Sequence, residues 1–103
     1  MKIDKLAGTA QSITDKNIHP LSQTVKNFTY LWVQNRLHDN SGNAVNGNPV
    51  LLGTREQLLF EIASGDTVEL RNISPSVLFV QQLTSSTPTG IVYVAWMGFE
   101  VET

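Results

Sequence analysis

Cysteine is absent from this chain, which excludes disulfide staples, thiolate metal sites and cysteine nucleophiles together and leaves the redox compartment open. Charge is scarce: Asp, Glu, Lys and Arg make up 16% of the sequence, against about 25% in an average globular domain. The net charge of −2 gives no electrostatic drive toward phosphate backbones or anionic lipid, so nucleic-acid binding is not expected. Histidine occurs only at His19 and His38, whereas zinc and non-haem iron sites need three or four converging ligands; no metal or other cofactor is expected. No apolar run approaches the ~20 residues of a membrane-crossing helix, so membrane insertion is not expected. The segment Met1–Ala10 has a lysine but no uninterrupted apolar stretch behind it, so export through a signal peptide is not expected either. Long amphipathic helices between strands are also missing, which disfavours a parallel α/β sheet.

What is present fits one domain of 103 residues, long enough to bury roughly 60–70% of its unfolded surface in a single modest core. Ser, Thr, Asn and Gln take the place of the missing charges. Residues 1–20 read as a polar arm with room for one short strand, ending at Pro20, which pushes His19 toward an extended backbone. Residues 21–103 read as the folded domain. Leu21, Val25, Phe28 and Trp32 have helical spacing, but the β-branched and aromatic residues crowded into 24–33 favour a strand. As a strand, Phe28, Tyr30 and Trp32 share one face, and Val25, Leu31, Val33 and Leu37 the other.

Asp39 to Pro49 is dense in turn formers and reads as a surface loop with a hairpin tip at Asn46-Gly47. Pro49–Gly53 reads as a short edge strand. Gln57–Ala63 and Thr67–Ile73, joined by Ser64-Gly65-Asp66, read as the clearest hairpin of the chain. Val77–Thr84 forms a further strand, and Ser85–Gly90 a loop before the last one. Short strands at this spacing, joined by polar turns, predict an all-β fold: a small antiparallel β-sandwich, jelly-roll-like, with an extended N-terminal arm.

Catalytic patterns are thin. Gly42 to Pro49 has the two-glycine spacing of a phosphate loop but places Asn48 and Pro49 where that mechanism needs Lys and Ser or Thr. There is no Gly-x-Ser-x-Gly elbow. Glu61 and Glu69 would face each other across the expected hairpin, but with Arg55 and Arg71 they read more simply as a solvated face. Enzymatic activity is not expected.

The most informative stretch is Ile91–Glu102. Its odd residues, Ile91, Tyr93, Ala95, Met97, Phe99 and Val101, are all apolar; its even residues, Val92, Val94 and Trp96, are apolar until Gly98, Glu100 and Glu102. A strand in a two-layer domain ordinarily buries one face and leaves the other wet. Here both faces need cover, and in a short chain a second copy or another protein supplies it. Tyr30, Trp32, Val92, Val94 and Trp96 are therefore the expected oligomer-interface residues. Phe28, Tyr30 and Trp32, flanked by Lys26, Gln34 and Arg36, are the candidate platform for stacking on a carbohydrate.

Residues 24–102, with the preceding arm, the Asn/Gly/Ser/Thr-rich loops and the Gly90–Glu102 end, resemble small β-sandwich virion proteins of bacteriophages and other viruses, of the decoration, spike-base or minor capsid type. That resemblance implies a structural protein forming homo-oligomers such as cyclic trimers or pentamers, with other virion proteins as further partners. It also implies residence in the virion, or in the cytoplasm before assembly. A carbohydrate-binding or adhesin-type module is the alternative.

Overall fold

The computed structural model describes residues 2–45, 47–83 and 90–102, with side chains for 5–45, 47–83 and 90–101. The expected turn at Asn46 and most of the expected loop before the last strand, Ser85–Thr89, lie outside the described residues.

Eight strands follow one another: β1 (Lys2–Ile13), β2 (Ile18–Pro20), β3 (Phe28–Arg36), β4 (Val50–Gly53), β5 (Phe60–Ile62), β6 (Thr67–Ile73), β7 (Phe79–Gln82) and β8 (Val92–Glu102). One 3-10 turn, Pro75–Val77, precedes β7, with the Ser74 side chain accepting from the Ser76 N–H at its start. The strands form two antiparallel sheets of four, in the orders β1-β8-β3-β6 and β2-β7-β4-β5. Strand 1 pairs with 8, 2 with 7, 3 with 6 and 4 with 5. The chain is thus one long antiparallel ribbon, doubled at β4–β5 and rolled until β8 meets β3 and β7 meets β4. This is the jelly-roll arrangement of the β-sandwich.

Rolling accounts for the sequence expectations that fail. Residues 2–20 supply β1 and β2 rather than an arm. β1 pairs with β8 from one end to the other and delivers Ile13 to the core. Its polar composition misled because an edge strand has one long side open to water. β4 lies between β7 and β5 and is not an edge. The expected hairpin of 57–63 with 67–73 does not form. The paired part of the first segment shrinks to Phe60–Ile62, in the small sheet, while β6 belongs to the large one. The connection turns a corner: Gly65 N–H donates to the Asn35 carbonyl at 2.7 Å, and Asn35 N–H to the Asp66 carbonyl at 3.1 Å. Glu61 and Glu69 consequently sit in different sheets and cannot face each other.

The core lies between the sheets. From the large sheet come Leu31, Val33, Val92, Val94 and Trp96, and from the small one Val50, Leu52, Ile62 and Val80. Full burial of such side chains stabilises by about 1.5–3 kcal/mol each before conformational entropy is charged. The alternation slips within the β3–β6 ladder. Thr29 and Asn72 drop out of the β3–β6 ladder, with Asn72 in the left-handed region at φ 53°. Phe28 and Ile73, beyond that step, both turn inward although their parity predicts the outside. Gly98 makes the room: a Cβ there would lie 2.7 Å from the Phe28 ring.

Candidate functional site

The outward face of the large sheet is where β8 carries its second apolar stripe. Residues directly opposite each other on neighbouring strands share a face, so the register defines four rows. They are Leu6–Phe99–Tyr30–Arg71, Gly8–Met97–Trp32–Glu69, Ala10–Ala95–Gln34–Thr67 and Ser12–Tyr93–Arg36. The β1–β8 side of each row is apolar or small, and β6 brings the charged Arg71 and Glu69 to the first two rows and Thr67 to the third. β1 and β6 are both edges of this sheet, so the gradient comes from their residues and not from their position.

Along the middle the aromatic rings order one another. Phe99 stacks on Tyr30 with centroids 5.1 Å apart and meets Trp32 at 4.9 Å, which leaves Phe99 only 6% exposed on an outer face. Arg71 lies over the Tyr30 ring at 5.0 Å and Arg36 over Tyr93 at 5.4 Å. Trp32 donates its indole N–H to Glu69 at 2.9 Å, and Arg71 bonds the other oxygen of that carboxylate at 3.2 Å. The Trp32 hydrogen bond first, then Arg71, holds the Glu69 carboxyl below its ordinary range.

Beside this ordered strip the face is hollow. Small residues Gly8, Ala10 and Ala95 floor an open trough of about 540 Å³ between Leu6 and Met97, with Asn40 at one side. A second depression, about 300 Å³, lies among Trp32, Gln34, Thr67 and Met97. Leu6 is 63% exposed and Met97 39%, so large apolar side chains stand in water around these hollows. Projecting and recessed apolar surface, aromatic residues, Met and Arg are what fully buried centres of protein interfaces are made of.

The expected site residues separate into two groups. Tyr30 and Trp32 lie on this outer face. Val92, Val94 and Trp96 point between the sheets, are at most 5% exposed and belong to the core. Phe28 is 1% exposed and packs against Trp96 at 5.8 Å, which removes it from any stacking platform. The outer face uses the odd residues of β8 instead, together with Leu6 and Ala10 of β1. Both lie in the stretch whose polar composition reads as an arm; the two-residue spacing of Leu6, Gly8 and Ala10 is the strand signal within it.

No titratable cluster accompanies the face. Among the described residues no group of three or more His, Asp or Glu side chains converges. His19 Nε2 lies 2.7 Å from Asp15 Oδ1, joining β2 to the β1–β2 connection. That contact, with the Asn17 N–H, holds the Asp15 carboxyl below its usual range. No helix among the described residues is long and apolar enough to cross a membrane. No family model matches this chain, and no curated protein or solved structure matches it either.

Proposed function

We propose that this protein is a structural subunit that assembles with copies of itself through the outer face of its large sheet. The setting proposed is a phage or viral particle, with other virion proteins as further partners. The observation that carries the reading is the second apolar stripe of β8, pre-ordered by Tyr30 and Trp32 and bordered by a trough that a projecting side chain can fill. Jelly rolls serve as capsid domains and also as lectins, so the fold alone chooses neither. The rings favour assembly over sugar stacking. Tyr30 is occupied by Phe99 and Arg71 on its ring faces, and Trp32 is tied to Glu69. Charge supports it as well: the centre of the face carries none, and Glu69, Arg71 and Arg36 lie at its margin.

The test is solution mass by light scattering for the wild type, Met97→Glu and Ala95→Glu. Both substitutions place a charge on the outer face without entering the core. An oligomer that either variant reduces to folded monomer is the expected result. A wild-type monomer over the micromolar to millimolar range would end the assembly reading, and glycan-array binding would then decide for the lectin-like alternative. Trp96→Glu is unsuited to this purpose, since it buries a charge between the sheets and unfolds the protomer.

A further inference from the structure

A second apolar space lies away from the outer face, between the two sheets. It opens at the end of the sandwich where β4 and β6 finish and β5 and β7 begin. Its volume is about 200 Å³, and its walls are Leu52, Phe60, Leu70, Ile73 and Leu78. Among the lining residues only Thr54 and Gln57 have polar side chains. Leu52 and Leu78 are buried core residues, 0% and 5% exposed, so the space ends in the core itself.

Water is a poor occupant of such a space, because an ordered water needs two to four polar partners. The chain does not close it, although side chains able to do so stand beside it. Leu59 and Phe60 line the rim while remaining 70% and 55% exposed. The reason lies in the β4–β5 connection. A Cβ on Gly53 would come within 2.1 Å of the Gln57 carbonyl oxygen and 2.9 Å of the Leu58 Cα. The connection is pressed against the end of β4 by its backbone, which fixes where the following Leu59 and Phe60 can reach.

We propose that this pocket binds a small apolar molecule, of the class of a monosubstituted benzene or a short alkyl chain, with Leu59 and Phe60 lying over the bound ligand. Size and chemistry both select that class. An apolar protein cavity of about 150 Å³ already accommodates benzene, and the space here is somewhat larger and equally devoid of charge. Thr54 and Gln57 at the mouth tolerate one polar substituent at the outer end of the ligand, whereas a charged group farther in would meet only leucine and isoleucine. The bound ligand adds a layer to the existing core and returns the two rim side chains to an apolar contact. The site is separate from the proposed assembly face and does not depend on it.

The probe is n-propylbenzene, titrated into full-length protein carrying ¹³C-labelled methyl groups. Saturable shifts are expected at the methyls of Leu52, Leu70, Ile73 and Leu78, with Kd on the order of 0.1–1 mM. Light-scattering mass should stay constant across the titration, which separates this site from the assembly face. The double variant Leu59→Ser, Phe60→Ser changes exposed residues, should keep the wild-type circular dichroism spectrum, and should bind about fivefold to tenfold more weakly. Absence of saturable shifts up to the solubility of the probe would overturn the proposal. So would shifts centred on the methyls of Met97, Ala10 and Ala95, or a rim variant that binds with wild-type affinity.

Discussion

Where β3 and β7 end, the gap between the sheets is closed by primary amides; at the opposite end, where β5 and β7 begin, it is lined by Leu52, Leu70, Ile73 and Leu78 and stays open. At the amide end, Asn35 donates to the carbonyls of Asn48 and Ile62 at 3.0 and 3.1 Å, and Asn48 donates to Gln82 Oε1 at 2.9 Å. Gln82 Nε2 then lies 3.0–3.2 Å from the carbonyls of Ile13, Asp15 and Gly90, one acceptor more than its two hydrogens serve singly. Asn35 and Gln82 are 0% and 2% exposed. Their bonds reach carbonyls at the ends of β1 and β5, in the β1–β2 connection, and just before β4 and β8. Directional bonds fix those segments in one arrangement. The apolar end has no such directionality, and there the shape of the space decides what enters.

The contrast is sharpest in how each end responds to truncation. Gln82→Ala removes the common donor for three carbonyls and the acceptor of Asn48 while opening a cavity. A loss of about 3–4 kcal/mol in urea unfolding is expected. A value under 1 kcal/mol would mean that the amides merely occupy the end and do not hold it. Leu52→Ala at the apolar end should cost about 2–4 kcal/mol. Part of that loss should return when n-propylbenzene is added, whereas Gln82→Ala should gain nothing from it; equal rescue of both variants would erase the distinction between the ends.

Ser74 offers an intermediate case, a hydroxyl near the apolar end. It accepts from the Lys26 N–H at 3.1 Å and donates to the Thr24 carbonyl at 3.1 Å, fastening the β2–β3 connection to the 3-10 turn. Ser74→Ala should destabilise by about 1–2 kcal/mol, and faster amide exchange of Lys26 would locate the damage.

The smallest effect concerns the exposed carboxylates. Asp15 is lowered chiefly by its His19 hydrogen bond, Asp39 chiefly by the Asn43 N–H, and Glu69 chiefly by the Trp32 N–H. In each case the folded form prefers the charged carboxylate, so its contribution is present above the unfolded pKa and disappears as pH falls through the folded one. The urea midpoint should therefore fall from about pH 4 downward. Because these groups are exposed the decline should be shallow, and Glu69→Gln should flatten it without moving the neutral-pH midpoint much.

Strand identity was largely legible in the residues. Val68 and Leu70 alternate with Thr67, Glu69 and Arg71 as the sequence predicts, and β3 forms where β-branched and aromatic residues crowd. The two-layer all-β architecture followed from short strands and polar turns. Partnerships were not legible, because hairpin signals are local and a rolled ribbon sends the strands on either side of Ser64-Gly65-Asp66 to different sheets. Which face of β8 goes inward was also hidden. Val92, Val94 and Trp96 are no more apolar than Tyr93, Ala95 and Met97, and parity cannot rank two apolar faces.

By itself, then, the sequence determined that this chain makes strands, that β8 has apolar side chains on both sides, and that neither thiol chemistry nor strong charge is available to it. These are properties of residue type and period, fixed before any contact forms. Tertiary structure decided which of the two stripes became core. Pairing with β1 and β3 on either side aims Val92, Val94 and Trp96 at the small sheet, and leaves Tyr93, Ala95, Met97 and Phe99 with Tyr30 and Trp32 outside. Burial depends on what lies opposite a side chain, and only the rolled ribbon sets that.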